Sequence, residues 1–284
     1  MRDEDLSITW YAPRPRPLWR QGSALAAVVW LGIVGGSALL APWLAPGGTL
    51  AADPARRLLP PGPSAWLGTD ALGRDVLARL VWGGRWTLQM GLLGLSVAVG
   101  LGLPMGMAAG LAGPWLDAVL MRLTDALLAF PGLLLAMSVV ALTGPGLLPV
   151  ALAAGLAAAP SYARVARSAA LEVRSQPYIE AAFAIGAGPW RILRRHILPN
   201  AAGALLSFAA AQLGWVLLTG AALNFLGLGG PPGTPEWGAM LAAGRGFLRD
   251  APWASVFPGL ALTLTVLAAH LLSDGVLEAL RARR

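Results

Sequence analysis

Residues 180–200 read EAAFAIGAGPWRILRRHILPN, a polar and basic stretch set between two long apolar ones. Glu180 to Ile185 are good helix formers, and Gly186-Ala187-Gly188-Pro189 then forces a turn. Glycine tolerates positive φ there, and proline is suited to start a new helix. From Pro189 the spacing predicts an amphipathic helix, with Trp190, Leu193 and Ile197 on one face and Arg191, Arg194 and Arg195 on the other. Pro199 is expected to end this piece before the next apolar run. The whole reads as a helix–turn–helix with a cationic surface, lying beneath a membrane.

The surroundings make it a membrane protein. Of 284 residues, 56% are hydrophobic and 12% charged, against roughly 25% charge in a soluble domain. Several apolar runs reach the length of about 20 residues that crosses a hydrocarbon core roughly 30 Å thick. Backbone groups in lipid must pair internally, and long runs without period-two alternation select helices over a barrel. Spans are expected at 23–44, 86–111, 119–142, 147–170, 201–226 and 253–274, which gives an all-α protein of six transmembrane helices. The first run follows Arg14, Arg16 and Arg20; it exceeds a signal core in length and is read as a retained anchor. Assigning loops to the two sides puts 14 arginines with the termini and 7 opposite, so both termini are expected in the cytoplasm.

This divides the chain into a cytoplasmic tail (1–22), an anchor (23–44), an outer loop (45–85), a transmembrane core (86–274) with a cytoplasmic loop at 171–200, and a C-terminal tail (275–284). Gly and Ala are abundant in the spans, as close helix packing in lipid requires. Pro104, Pro131 and Pro160 are expected to kink their helices.

Two absences limit the chemistry. There is no Cys and no Lys, all 21 basic residues being Arg. Thiolate sites are excluded, and so is a G-x-x-x-x-G-K-[ST] loop, whose lysine holds the phosphates. His196 and His270 make no metal pair, and neither H-E-x-x-H nor G-x-S-x-G occurs. The net charge of +7 is read as loops facing anionic lipid rather than nucleic acid.

A second polar segment, LGTDALGRDVLAR at 67–79, lies before the second span. Thr69 or Asp70 can cap a helix, Asp70–Arg74 and Asp75–Arg79 are spaced for i,i+4 pairs, and Leu72, Val76 and Leu80 form a stripe. The expectation is an amphipathic helix resting on the outer membrane face.

For 180–200, physics alone leaves anionic headgroups or a docked protein as occupants. Residue order decides: Glu180-Ala181-Ala182, then Gly186, then Leu198-Pro199, resembles the EAA motif of permease subunits of binding-protein-dependent ABC importers. The generic motif has isoleucine where this chain has His196, and His196-Ile197-Leu198-Pro199-Asn200 is similar to the peptide-importer branch. The 67–79 segment, with Gly68, Asp70, Gly73, Arg74 and Asp75, resembles the entry signature of the second permease subunit of dipeptide, oligopeptide and nickel importers. Asp117, Met121-Arg122, Asp125 and Ala129-Phe130-Pro131 resemble that subunit's third-span entry. Asn224 to Gly229, Thr234 to Gly238, Phe257 to Leu260 and Ser273 to Gly275 extend the resemblance over about residues 23–280.

The resemblance implies the type I importer fold in the bacterial inner membrane and a translocation path shared with a homologous second permease subunit. It also implies two ATPase subunits, which use ATP and Mg, and an extracytoplasmic binding protein. This chain would bind no cofactor or metal itself. Glu180, Ala181, Ala182, Gly186, Gly188, Arg191, Arg194, His196, Leu198 and Pro199 would form the ATPase-coupling segment, with Arg191, Arg194 and Arg195 meeting acidic ATPase residues or lipid phosphates. Peptide is the expected cargo, with nickel or oligosaccharide as alternatives. An ion-coupled secondary transporter is the rival reading, but Asp125, Asp274 and His270 lie near span ends rather than at the midplane where coupling groups sit.

Overall fold

The computed structural model describes residues 21–46 and 52–281. Among them there is no strand beyond two isolated bridges, Gly62–Ala65 and Thr69–Asp75. The helices are α1 (Gly22–Leu39), α2 (Ala41–Leu44), α3 (Val76–Leu111), α4 (Pro114–Leu128), α5 (Gly132–Thr143), α6 (Leu147–Arg174), α7 (Pro177–Ala184), α8 (Pro189–Ile192), α9 (Leu198–Phe225), α10 (Trp237–Gly244) and α11 (Trp253–Arg281). Among the described residues, five helical stretches are long and apolar enough to cross a membrane, and six if α4 and α5 count as one.

The centre is the α3–α6 pair, and small residues make it possible. Gly102 and Gly106 on α3 lie so close to α6 that a Cβ at Gly106 would stand 2.2 Å from the Ala163 carbonyl oxygen. Without side chains in the way the two backbones approach, and dispersion replaces the hydrophobic drive that lipid does not supply. Helix α9 packs across α6, with Gln212 Nε2 donating to the Ala158 carbonyl at 3.1 Å. Helices α1 and α11 join at Trp30, whose Nε1 donates to Thr265 Oγ1 at 3.1 Å. The short α10 folds back against α3, where Trp237 Nε1 donates to the Leu80 carbonyl at 2.9 Å.

Three expectations are corrected. The single span at 119–142 is two helices bent by 90°; Pro131 lacks an N–H and disfavours helical backbone at Phe130, so α4 cannot run on. The outer amphipathic helix does not form: 57–75 is turns and bends, and α3 begins only at Val76, ten residues before the expected span. Pro199 ends nothing, because Pro189–Phe225 is one helical run of 37 residues. A π-turn at Leu193–Ile197, closed by Leu198 N–H to the Leu193 carbonyl, carries the chain past the proline. The wide turn relieves the clash a proline ring makes with the carbonyl four residues back.

Smaller shifts follow. The first span breaks at Leu40, where α1 stops and Pro42 sits in the first turn of α2. At the other end, α11 continues through Arg281. Arg14, Arg16 and Arg20 lie outside the described residues.

Candidate functional site: an exposed corner and an outer clamp

The corner begins where α6 ends at Arg174, with only Ser175 and Gln176 before α7. Pro177 occupies the first turn of α7, where a missing N–H costs nothing, and Glu180 lies in that turn, favourably placed on the helix dipole. The helix stops in a Schellman arrangement: Gly186 N–H reaches the Phe183 carbonyl at 2.9 Å and Ala187 N–H the Ala182 carbonyl at 3.0 Å. Gly186 adopts φ +84°, the left-handed value this stop requires. Gly188 is extended and precedes Pro189 at the start of α8.

Beneath the corner, Ile179, Ile192 and Ile197 are fully buried against Val173, Met107 and Tyr162. Glu180 and Ala181 are exposed and Ala182 buried, while Ile185, at the tip, is 87% exposed. The face assignment from 3.6-residue periodicity is corrected: Trp190 is 70% exposed and Ile192 takes the core position. The π-turn shifts the phase, so that Ile192 and Ile197, five residues apart, share the buried side. Trp190, Arg191, Arg194 and Arg195 line one open recess of about 350 Å³. His196 is half-buried with its ring 6.2 Å from that of Tyr178, and Asn200 Nδ2 donates to the His196 carbonyl at 2.6 Å. Leu198 and Pro199 open α9.

The 67–79 segment is a clamp rather than a helix. Asp70 Oδ1 accepts from the Leu72 and Arg74 N–H groups at 2.8 and 3.0 Å, an Asx-type turn, and Gly73 turns back at φ +75°. Asp70 Oδ2 meets Arg74 Nε at 2.7 Å and Arg79 Nε at 3.5 Å. Gly68 packs on Trp253, whose Nε1 donates to the Thr69 carbonyl at 3.0 Å, and Arg79 Nη1 donates to the Gly233 carbonyl at 3.1 Å. The expected Asp75–Arg79 pair is replaced by a cap: Asp75 Oδ1 accepts from Ala78 N–H at 2.9 Å and starts α3. Asp70→Asn therefore strips the carboxylate from Arg74, exposed by only 8%, and weakens the field at Arg79, and is expected to cost about 3 kcal/mol. Asp75→Asn keeps its cap and is expected to be near neutral; thermal unfolding of the purified protein measures both.

Residues 102–284 match the family of binding-protein-dependent transport system inner membrane components. The chain belongs to this family. As a permease it is 43% identical to the glutathione transport system permease protein of Pectobacterium atrosepticum, over 77% of this chain and 73% of that one. It is 39% identical to the dipeptide transport system permease protein of Alkalihalophilus pseudofirmus, over 86% and 80%. Among solved structures, an inward-facing methionine ABC transporter aligns with TM-score 0.62 and 23% identity, covering 71% of this permease and 95% of that chain. That likeness carries the fold, and the type I importer expectation holds for it. Permeases of this family work with ATPase subunits and a substrate-binding protein.

Sequence reasoning passed over two features of the permease. Glu236 is fully buried between α9 and α10, where its Oε2 accepts from Ala239 N–H and its Oε1 from Thr87 Oγ1, both at 3.0 Å. Burial pushes this carboxyl above its ordinary value, against the pull of the surrounding hydrogen bonds. Arg164 and Arg167, two of the 14 arginines assigned to the side of the termini, pair with Asp125 and Asp117 of α4. Two arginines three apart facing two aspartates eight apart is a weak signal without the helix packing.

Proposed function

We propose that this permease forms half of the path of an ATP-driven peptide importer and receives its drive through the corner at 171–200. The observation that carries this is the tip: a rigid Schellman bend on a fully buried isoleucine floor holds Ile185 87% exposed beside the exposed Glu180. A large apolar side chain presented on a fixed bend is how a protein keeps an anchor ready for a partner's pocket. The partner is an ATPase subunit in the cytoplasm, so the corner and both termini face inward. Two such subunits supply the ATP and Mg chemistry that a chain without lysine cannot supply through a phosphate-binding loop. A homologous second permease subunit completes the path, and a binding protein docks on the outer side, where the clamp orders the loops. Peptide is the cargo that the names of the relatives support.

Glu180→Lys and Ile185→Asp test the docking. Each variant is expected to insert at normal yield and to lose at least about tenfold in co-purified ATPase subunits, the 1.4 kcal/mol equivalent of one exposed anchor. Unchanged co-purification together with unchanged ATP-driven dipeptide uptake in proteoliposomes overturns the assignment of the corner.

A further inference from the structure

Helix α4 is poorly anchored by apolar contact. Thr124 is its only fully buried residue, and Trp115, Val119 and Leu123 are exposed. Two ion pairs to α6 tie it down instead, a half-buried one at Asp117 that carries most of the grip and an exposed one at Asp125. Arg167 of α6 grips Asp117 with two parallel bonds, Nε to Oδ1 and Nη2 to Oδ2, both at 2.5 Å. Arg164, one turn earlier, donates from Nη2 to Asp125 Oδ1 at 2.6 Å. A two-bonded guanidinium–carboxylate fork fixes direction as well as distance. Farther along α6, Arg174 Nη1 donates to the Gly110 carbonyl at the end of α3 at 2.9 Å.

These contacts lie on a continuous route. Helix α6 joins α7 through Ser175 and Gln176 alone, so a displacement of the corner is passed to α6 with no loop to absorb it. The two ion pairs hand that displacement to α4, and α4 meets α5 at the 90° elbow before Pro131. We propose that Arg167–Asp117 and Arg164–Asp125 are positioning residues that transmit movement of the α6–α7 corner to the α4–α5 elbow. Transport stays coupled to ATP hydrolysis only while these charges match. This rests on the corner being the driven surface.

The chain has no cysteine, so labels placed on it report from chosen sites alone. Spin labels at Ala118→Cys on α4 and Val29→Cys on α1, both exposed positions, are read in the assembled transporter with and without ATP and vanadate. The wild-type distance is expected to shift by about 1–2 Å, the scale of interface helix movements. Asp117→Arg is expected to abolish the shift while ATPase subunits still co-purify and hydrolyse ATP. The swap Asp117→Arg with Arg167→Asp is expected to restore at least half of it. Where the reversal lowers the yield, Asp117→Asn and Arg167→Gln, singly and together, give the same reading through their non-additive effect. A distance that does not move in wild type, a shift that survives Asp117→Arg, or a swap that restores nothing overturns the proposal. Co-purification separates the two ideas: a failed docking surface shows as ATPase binding indifferent to Ile185, a failed transmission route as movement indifferent to Asp117.

Discussion

Gly106→Leu is expected to abolish the folded permease. A Cβ there would stand 2.2 Å from the Ala163 carbonyl oxygen and 2.6 Å from the Ala166 Cβ, and one at Gly102 would stand 2.7 Å from the Ala159 carbonyl oxygen. The obstacle is mostly backbone of a buried helix, not the far end of a flexible side chain. Relief requires α3 and α6 to separate along their length, which forfeits the packing that holds helices together in lipid. A loss of at least about 3 kcal/mol is expected, the upper range for overpacking. It would be read as failure to recover monodisperse protein, or as a lowered unfolding midpoint where some is recovered. Gly100→Leu, on the same helix with nothing within 4 Å of its would-be Cβ, is expected to leave yield and midpoint unchanged. Equal damage from both substitutions would falsify the close-approach account.

Glu236→Ala is the second large effect. The carboxyl is fully buried and joins α3 to the start of α10 through Thr87 and the Ala239 N–H. Removing it leaves buried donors without an acceptor and takes the cap from α10, a loss of about 2–4 kcal/mol. Glu236→Gln keeps an acceptor for Ala239 and is expected to lose less than about 1.5 kcal/mol, the net worth of one ordinary hydrogen bond. The pair also carries a pH signature. Because burial raises the folded carboxyl above its ordinary value of 4.5, the folded state holds a proton that the unfolded chain releases. That contribution is complete below the ordinary value and is lost as pH rises through the higher folded one. Unfolding midpoints measured upward from the ordinary glutamate value should fall more steeply for wild type than for Glu236→Gln. Parallel slopes would show that Glu236 does not titrate in this window.

Much of this was legible in the residues. Long apolar runs fixed helical spans, because a backbone in lipid has so few ways to pair its polar groups. Gly186 followed by Gly188-Pro189 marked the bend, since few residues accept φ +84° and proline suits a helix start. The Asp70–Arg74 pair was legible too, but its setting was not: the residues meet in an Asx turn rather than on a helix. Spacing of four is compatible with both, and the tie was broken by contacts from Trp253 and Gly233, which are remote in sequence.

Trp190 shows the same limit at the corner. Its place in the apolar pattern assumed 3.6 residues per turn throughout, and one π-turn ahead of Pro199 rotated Ile192 into the core and Trp190 out of it. By itself, then, the sequence determined the class, the presence of long apolar helices, the bend at Gly186 and the absence of a lysine-based ATP site, because each depends on local backbone freedom or on residue type. Tertiary structure alone decided the α4–α5 elbow angle, the clamp at Asp70, the burial of Glu236 and the pairing of Arg164 and Arg167 with α4. Each of these depends on partners remote in sequence, such as Trp253 and Gly233 for the clamp and Thr87 for Glu236, which no local pattern spans.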